Sequence, residues 1–393
     1  MKIFFITAYL GQPHGTAMSA RDFARALLAV HDDVCIVSPR QENFGQSAAD
    51  YSLSTPHWFK YVSKKPFSFA HPLSILTNII NQIRRWHIHR AVKGQHIIVN
   101  GWASYAYWKE LAVSGYKKKS LIVRESPRHF EFQDRYEDFN VMLAELSQFD
   151  NLIFVSDRLR QEWMKNIQLA SIPSFYVPNC CEEEEIAIIK TSDRQKTRER
   201  LGFAQDDFVL ICPGMIEKRK GQDIILDTWP EVLDAIPHAR LLVLGDGCTS
   251  WGKALATDVD GGKYGDCVSH ISAQPSALEY LYASDVLLFP SRAEAMPRII
   301  LEGMALGMPI IATNIDGIPE LIEDEKSGWL FTPSDTARMV NGIKFIAKYP
   351  TQTRQMAKTA EQRYRQIFSR QQQIKRVSSL LNWFKSDQKI QIY

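Results

Sequence analysis

The stretch from Ser291 to Glu302, Ser-Arg-Ala-Glu-Ala-Met-Pro-Arg-Ile-Ile-Leu-Glu, constrains this chain more than any other. It follows Asp285-Val-Leu-Leu-Phe-Pro290, an apolar run that reads as a buried parallel strand. It leads into Ile299 to Leu306, helical in pattern and stopped at Gly307, a natural residue just past a helix end. Pro297 suits the first helical turn, where its missing N–H costs nothing. A strand, a tight loop and a helix start aim free backbone N–H groups and a positive helix end at one point, which favours a phosphate. Carboxylates at Glu294 and Glu302 would repel a phosphate, so they need hydroxyl donors. A ribose diol beside Glu302 and a sugar ring beside Glu294 meet that need. A nucleoside diphosphate sugar offers all three parts.

Two glutamates at this spacing, in this setting, resemble the retaining glycosyltransferases of family 4. The resemblance continues through Gly303-Met-Ala-Leu-Gly-Met-Pro-Ile-Ile-Ala-Thr313, Gly317-Ile-Pro-Glu320 and Ser327-Gly-Trp-Leu-Phe331. It implies that Glu294 contacts the donor sugar and Glu302 the nucleotide ribose, with Ala295, Met296, Pro297 and Arg298 lining the same donor. Upstream, the strand Phe208-Val-Leu-Ile-Cys-Pro-Gly214 is followed by Met215-Ile-Glu-Lys-Arg-Lys-Gly221. Cations on a glycine-ended loop can neutralise a diphosphate leaving group. The family places an arginine after the first glycine, here Gly214, and a lysine before the second. Lys220 matches, Met215 replaces the arginine, and Arg219, with Lys218 beside it, is the source of the missing charge. Ala239 to Gly245 is a further strand, ending in Gly245-Asp-Gly247 as in the family. His270 and Ile271 fall where the family holds the base with main-chain groups.

The first half of the chain resembles the family more weakly. Lys2 to Thr7 and Val34 to Val37 are strands around a helix near Asp22 to Leu28, an order that suggests a doubly wound parallel sheet. The loop between them, Gly11-Gln-Pro-His-Gly-Thr16, keeps Gly15 where the family has a Gly-Gly pair, and has no Gly-x-Gly-x-x-Gly. His96 to Asn100, Ser120 to Val123 and Asn151 to Ser156 are further strands. The family's histidine after the second of these is replaced by Arg124 and Glu125; His129 comes later and reads as a surface or satisfied histidine. Tyr176-Val-Pro-Asn179 resembles the family's Ile-Pro-Asn-Gly, with Cys180 for the glycine. Glu182 to Glu185 reads as a solvated charge cluster. From Ala360 apolar residues recur at helical spacing through Tyr364, Ile367, Ile374, Val377, Leu381 and Phe384, with Gln371 in a skipped slot.

With 393 residues, 45% of them hydrophobic and 23% charged, two soluble domains are the expectation. No apolar run is long enough to span a bilayer, and the first residues read as a strand rather than a signal peptide. The six cysteines show no Cys-x-x-Cys pair or zinc spacing, which favours reduced thiols in a cytoplasmic protein. Asp258-Val-Asp260 precedes Gly261-Gly262 in an expected loop and lacks the context of a metal site. Residues 51 to 120 hold 11 Lys plus Arg against one acid, Glu110. Such a face is either solvated or meets an anionic membrane surface or acidic acceptor. The aromatics within it come with no nucleic-acid module, so nucleic acid is not the expected partner.

The expected fold is α/β, of the GT-B type: two Rossmann-like domains facing across a cleft. Residues 1–185 form the acceptor side, 186–358 bind the donor, and 359–393 supply a helix crossing back to the first domain. The resemblance implies retaining transfer of a sugar from a nucleotide sugar to a glycan or glycolipid acceptor, as in cell-surface polysaccharide or lipopolysaccharide synthesis. No cofactor or metal is expected; the enzyme is expected in the cytoplasm, peripheral on the membrane. The alternatives are a nucleotide-sugar binding protein without catalysis, kept open by Met215, and a same-fold epimerase or hydrolase. Glu302→Gln is expected to weaken UDP, GDP or ADP binding in calorimetric titration by about 1–3 kcal/mol, because a charged acceptor of two hydroxyl bonds is lost.

Overall fold

The computed structural model describes residues 1–7, 15–39, 59–61, 86, 88–111, 114–131 and 136–386. Two parallel sheets form its scaffold. The first is ordered β3-β2-β1-β4-β5-β6-β7. Its strands are β1 (Ile3–Ile6), β2 (Val34–Pro39), β3 (Phe59–Tyr61), β4 (His96–Asn100), β5 (Lys118–Val123), β6 (Asn151–Phe154) and β7 (Ser174–Tyr176). The second is ordered β10-β9-β8-β11-β12-β13. It comprises β8 (Phe208–Pro213), β9 (Ala239–Leu244), β10 (Val268–Ile271), β11 (Val286–Phe289), β12 (Ile310–Thr313) and β13 (Trp329–Phe331). Strands β1, β11 and β12 read Ile-Phe-Phe-Ile, Val-Leu-Leu-Phe and Ile-Ile-Ala-Thr and are buried at every position. Parallel strands packed by helices on both faces require such unbroken apolar runs.

Strand order reverses once in each sheet. From β1 the chain builds outward through β2 and β3, then returns to add β4 on the other side. From β8 it builds through β9 and β10, then returns to β11. At such reversals the connecting helices part to opposite faces and leave a crevice at the carboxyl ends of the strands. Thr7 and Asn100 mark the first crevice, joined by a 3.3 Å bond from Asn100 Nδ2 to Thr7 Oγ1. Gly214 and Ser291, just past β8 and β11, mark the second.

The last helix completes the first domain. The helix Pro350–Arg363 runs into a π-helical turn, Tyr364–Phe368, and the chain then breaks at Ser369, whose ψ is 157°. The helix Arg370–Lys385 follows and packs on the helix Gly15–Val30. This break explains the skipped slot. The phase of the apolar pattern resets at Ser369, Gln371 is exposed, and Gln373 takes the inward position. Gln373 Nε2 donates to Pro178 O at 2.8 Å. Phe384 stacks on His96 with centroids 5.1 Å apart, and Trp383 packs on Phe175 at the same spacing.

Several expectations are corrected by this packing. Glu182 is only 4% exposed: it binds Arg25 at 2.5 Å and Arg370 at 3.1 Å. Together with Glu183 and Glu184, which also bind Arg370, it anchors the returning helix and is not part of a solvated cluster. Asp258 and Asp260 lie in the last turn of the helix Ser250–Asp260, not in a loop. Lys118 and Lys119 open β5, at the end of the sheet opposite the crevice. Lys119 is buried with its ammonium 4.3 Å from the Phe149 centroid, and Lys118 lies 4.1 Å from that of Trp383. These two cations are absorbed by aromatic rings rather than displayed at the crevice. Much of the remaining basic stretch, including Trp58, Phe67, Arg84 and Arg85, lies outside the described residues.

Phe384 is fully buried between the first sheet and the last helix. Phe384→Ala is expected to lower unfolding free energy by about 3–5 kcal/mol, read from the urea midpoint, because the helix cannot collapse into the space left.

Candidate functional site

The second crevice is built by backbones in close contact. Gly214 turns the chain out of β8 with φ of +132°, and Gly245 does so after β9 with φ of +147°. A Cβ on Gly245 would lie 2.1 Å from the carbonyl oxygen of Gly214, so only glycine fits. The basic segment is a single 3₁₀ turn, Lys218–Lys220, closed by Gly221 in the left-handed conformation. Across from it lies the loop after β11. Arg292 N–H donates to Arg219 O at 2.7 Å, which ties the two loops together.

Glu294 lies between them, with a side chain 10% exposed. Its Oε1 accepts from Lys220 Nζ, from Arg219 Nη1 at 3.0 Å and from Ser291 Oγ at 3.2 Å. Burial pushes this carboxyl up, but Lys220 and Arg219 outweigh burial and hold it below the usual carboxylate range. Burial also opposes the Arg219 charge, and Glu294 with Glu217 more than restores it. The Glu294 N–H donates to Asp316 Oδ2 at 2.9 Å. The helix Arg298–Leu306 begins at Pro297 with no side-chain cap, so its positive end is not neutralised by a capping side chain. The site thus joins an ionised acceptor, two cations and an uncapped helix start.

Other expected residues are placed as follows. Glu302 is buried one turn into that helix; burial raises its pKa and Arg298 opposes the rise. The Arg298 side chain does not reach a phosphate. It is enclosed between Glu302, with Nε 2.9 Å from Oε1, and Asp22 of the first domain. Met296 O accepts from Asn179 Nδ2 at 3.0 Å, and Ala295 and Met296 are both buried. His270 and Ile271 end the edge strand β10, whose only sheet neighbour among the described residues is β9. Ile271 O accepts from Gly245 N–H at 2.8 Å. His270, one residue out of phase, directs its main-chain groups to the open edge. Its ring lies 3.1 Å from Asp260 and 2.8 Å from Gly245 O. Gly15 begins the first long helix, and a Cβ on it would meet nothing within 4 Å among the described residues; most of the preceding loop lies outside them. Met215 is 45% exposed and leaves the arginine's place apolar. Among the described residues, no group of three His, Cys, Asp or Glu is arranged to hold a metal ion.

The reading of His129 as a surface or satisfied histidine is compatible with the structure: it is half-buried, its ring edge-on to Phe130 with centroids 6.0 Å apart. The short helix Pro127–Glu131 after β5 brings it to the cleft, where the charges acting on it are Arg219, Glu294, Glu217 and Lys220. Burial, then Arg219, pulls its pKa down to about 4, so the ring is neutral at pH 7. Arg124 and Glu125, which stand in the family's histidine position, are instead part of the first domain's framework. Arg124 Nε donates to Asn100 Oδ1 at 2.8 Å and Nη1 to Asn179 Oδ1 at 2.7 Å. Glu125 accepts from Trp102 N–H at 3.1 Å. The sequence reading missed Asp316 and Asp22, which become site neighbours only through tertiary contact. The signal for Asp316 is its place before Gly317, where it takes a φ of +45°.

The family model described as glycosyl transferases group 1 matches residues 207–348. Residues 207–348 are thus similar to a glycosyl transferases group 1 domain. The match spans the six strands of the second sheet and both loops that meet at Glu294. A relative from Corynebacterium glutamicum is named a GDP-mannose-dependent monoacylated alpha-(1-6)-phosphatidylinositol monomannoside mannosyltransferase. It is 30% identical over 39% of this chain, and the aligned part spans 42% of that relative's length. An uncharacterized glycosyltransferase of Haemophilus influenzae is 21% identical over 91% of this chain and 93% of its own. The solved structure of Anabaena Alr3699/HepE in complex with UDP and glucose matches with a TM-score of 0.78 and 20% identity, covering 97% of this chain and 99% of that one. That likeness shows the fold of this chain to be GT-B.

The neutral histidines make stability depend on pH. His96, by burial, is also pulled down to about 4. An unfolded histidine titrates near 6.5, so between about 6.5 and 4 the unfolded chain binds more protons than the folded one. Stability is therefore expected to fall as pH is lowered through that window. Urea midpoints at about pH 7 and pH 4.5 should differ less in His129→Gln than in the unmodified chain, because the substituted side chain does not titrate.

Proposed function

We propose that this protein transfers a glycosyl group from a nucleoside diphosphate sugar to a hydroxyl of a glycan or glycolipid, with retention of configuration. The observation that carries the reading is Glu294, ionised and shared by Lys220 and Arg219 beside an uncapped helix start. In this reading the diphosphate takes the helix start, and Lys220 and Arg219 turn from Glu294 toward it. Glu294, released from them, accepts hydroxyl bonds from the donor sugar. Glu302 takes the ribose and the open edge at His270 takes the base. The bond from the anomeric carbon to the phosphate oxygen breaks, and the acceptor oxygen bonds to that carbon on the same face. The acceptor proton passes to the departing phosphate. His129, neutral and on the first domain, reaches the sugar from the other side. The protein's contribution is position and charge, with no carboxylate attacking carbon.

The names of similar proteins support the substrate classes: UDP and glucose in one solved structure, a phosphatidylinositol mannoside in one relative. A lipid-linked acceptor places the enzyme in the cytoplasm at a membrane surface, in cell-surface polysaccharide or lipopolysaccharide synthesis. Among the described residues no helix is long and apolar enough to cross a membrane. Met215, exposed where the family has an arginine, supports a second reading as a sensor that binds the donor without turning it over.

Titration with UDP, GDP and ADP, followed by mass-spectrometric assay of the matching nucleotide sugars with lipid-linked acceptors, tests both. One nucleotide is expected to bind, and turnover is expected to survive EDTA because Lys220, Arg219 and the helix start supply the positive charge. Glu294→Gln should lower kcat at least about a hundredfold while changing nucleotide affinity little. Binding with no turnover would establish the sensor; free sugar released at full rate without acceptor would establish a hydrolase.

A further inference from the structure

Glu320 belongs to the second domain, but its carboxylate is bound in the first. Its Oε2 accepts from Ser156 Oγ at 2.8 Å, from Asp157 N–H at 2.8 Å and from Arg158 N–H at 3.3 Å. Ser156 is the N-cap residue of the helix Asp157–Trp163, and its Oγ also accepts from Leu159 N–H at 3.3 Å. The first N–H groups of a helix have no partner within it. Here a carboxylate from the opposite domain serves them, and its charge faces the positive helix end.

The same short segment reaches the candidate active site at its other end. Asp316 Oδ2 holds the N–H of Glu294. A Cβ on Gly317 would lie 1.8 Å from Ala295 O and 2.9 Å from Ser156 Oγ. The segment is therefore wedged between the Glu294 loop and the first domain, with no space for a side chain. Arg363 braces it from behind, donating to Glu320 O at 2.9 Å and to Leu321 O at 3.0 Å. A second cross-domain contact, Arg128 to Asp316 at 3.5 Å, starts one residue from His129.

We infer that Glu320 is a positioning residue. It grips Ser156 and the helix start, and so sets the distance between the two domains at which Glu294 and His129 act on one sugar. The contact rests on geometry alone, and its kinetic consequence rests on the transfer reading proposed above. Water replaces all three donors when the cleft opens, so the grip is reversible, as exchange of substrate and product requires.

The test uses the full chain with Glu320→Gln, Glu320→Ala and Ser156→Ala. Amide exchange at Asp157 and Arg158 is expected to quicken about tenfold in Glu320→Ala, with less change in Glu320→Gln. The radius of gyration from small-angle scattering should rise. Where a nucleotide binds, its affinity should stay within about twofold while kcat falls about tenfold, because the interactions of Glu320 lie with the first domain and the brace behind it, not with the donor residues. Combining Glu320→Ala with Ser156→Ala should cost little more than the worse single change, since both remove one contact. Exchange and scattering unchanged from the parent chain would overturn the inference. So would an affinity loss as large as the loss in kcat. If the parent chain binds no nucleotide, the transfer reading fails, and exchange and scattering still decide the role of Glu320.

Discussion

A carboxylate kept ionised out of water is the constraint on which the second domain depends. Glu294 is desolvated by its loop, and a lone charge there would take up a proton. Two cations and a hydroxyl prevent this. Each of those partners needs a particular backbone. Lys220 and Arg219 lie in one 3₁₀ turn because Gly221 closes it, and Gly221 abuts the carbonyl of Pro290 so closely that a Cβ would lie 2.1 Å away. The strand reversal at β8 and β11 then places this turn beside the Glu294 loop. Topology, glycine placement and electrostatics are in this sense one arrangement.

A second set of charges holds the domains together, and it is differently made. Arg298 sits between Glu302 and Asp22, all three out of water, while Arg25 and Arg370 share Glu182. Buried ion pairs return little net stability over apolar packing, because desolvation offsets most of their attraction. What they provide is discrimination: an apolar interface tolerates sliding, whereas these pairs are satisfied in one relative placement. Arg298 also links the two domains, since the residue that opposes the rise in the Glu302 pKa is the one that contacts Asp22 of the first domain.

Much of this was legible in the chain itself. Unbroken apolar runs such as Val286–Phe289 mark parallel strands, and the block from Ser291 onward carries its strand, loop and helix in local signals. What was not legible depended on contacts between distant segments. His129 gives no local sign of facing Glu294, because its position follows from the closing of one sheet upon the other. Glu182 sits in an acidic run whose ordinary meaning is a solvated face; only the returning helix supplies Arg370. Lys119 looks like part of a basic surface until Phe149 is brought beside it. The apolar pattern near the end showed a missing beat at Gln371, and its cause was a break at Ser369 that no single periodicity describes.

That returning helix bears on how the protein is made. The first domain contains Ile3 at one end of the sequence and Phe384 near the other, with the whole second domain inserted between. As the chain leaves the ribosome, the second sheet has all its strands and their covering helices well before the first domain has its last one. The face formed by the helix Gly15–Val30, His96 and Phe175 must wait uncovered through the synthesis of some two hundred intervening residues, during which domains commonly fold as separate units. The first sheet is thus begun before the second and covered after it, and the apolar face that the returning helix closes stays open in the interval.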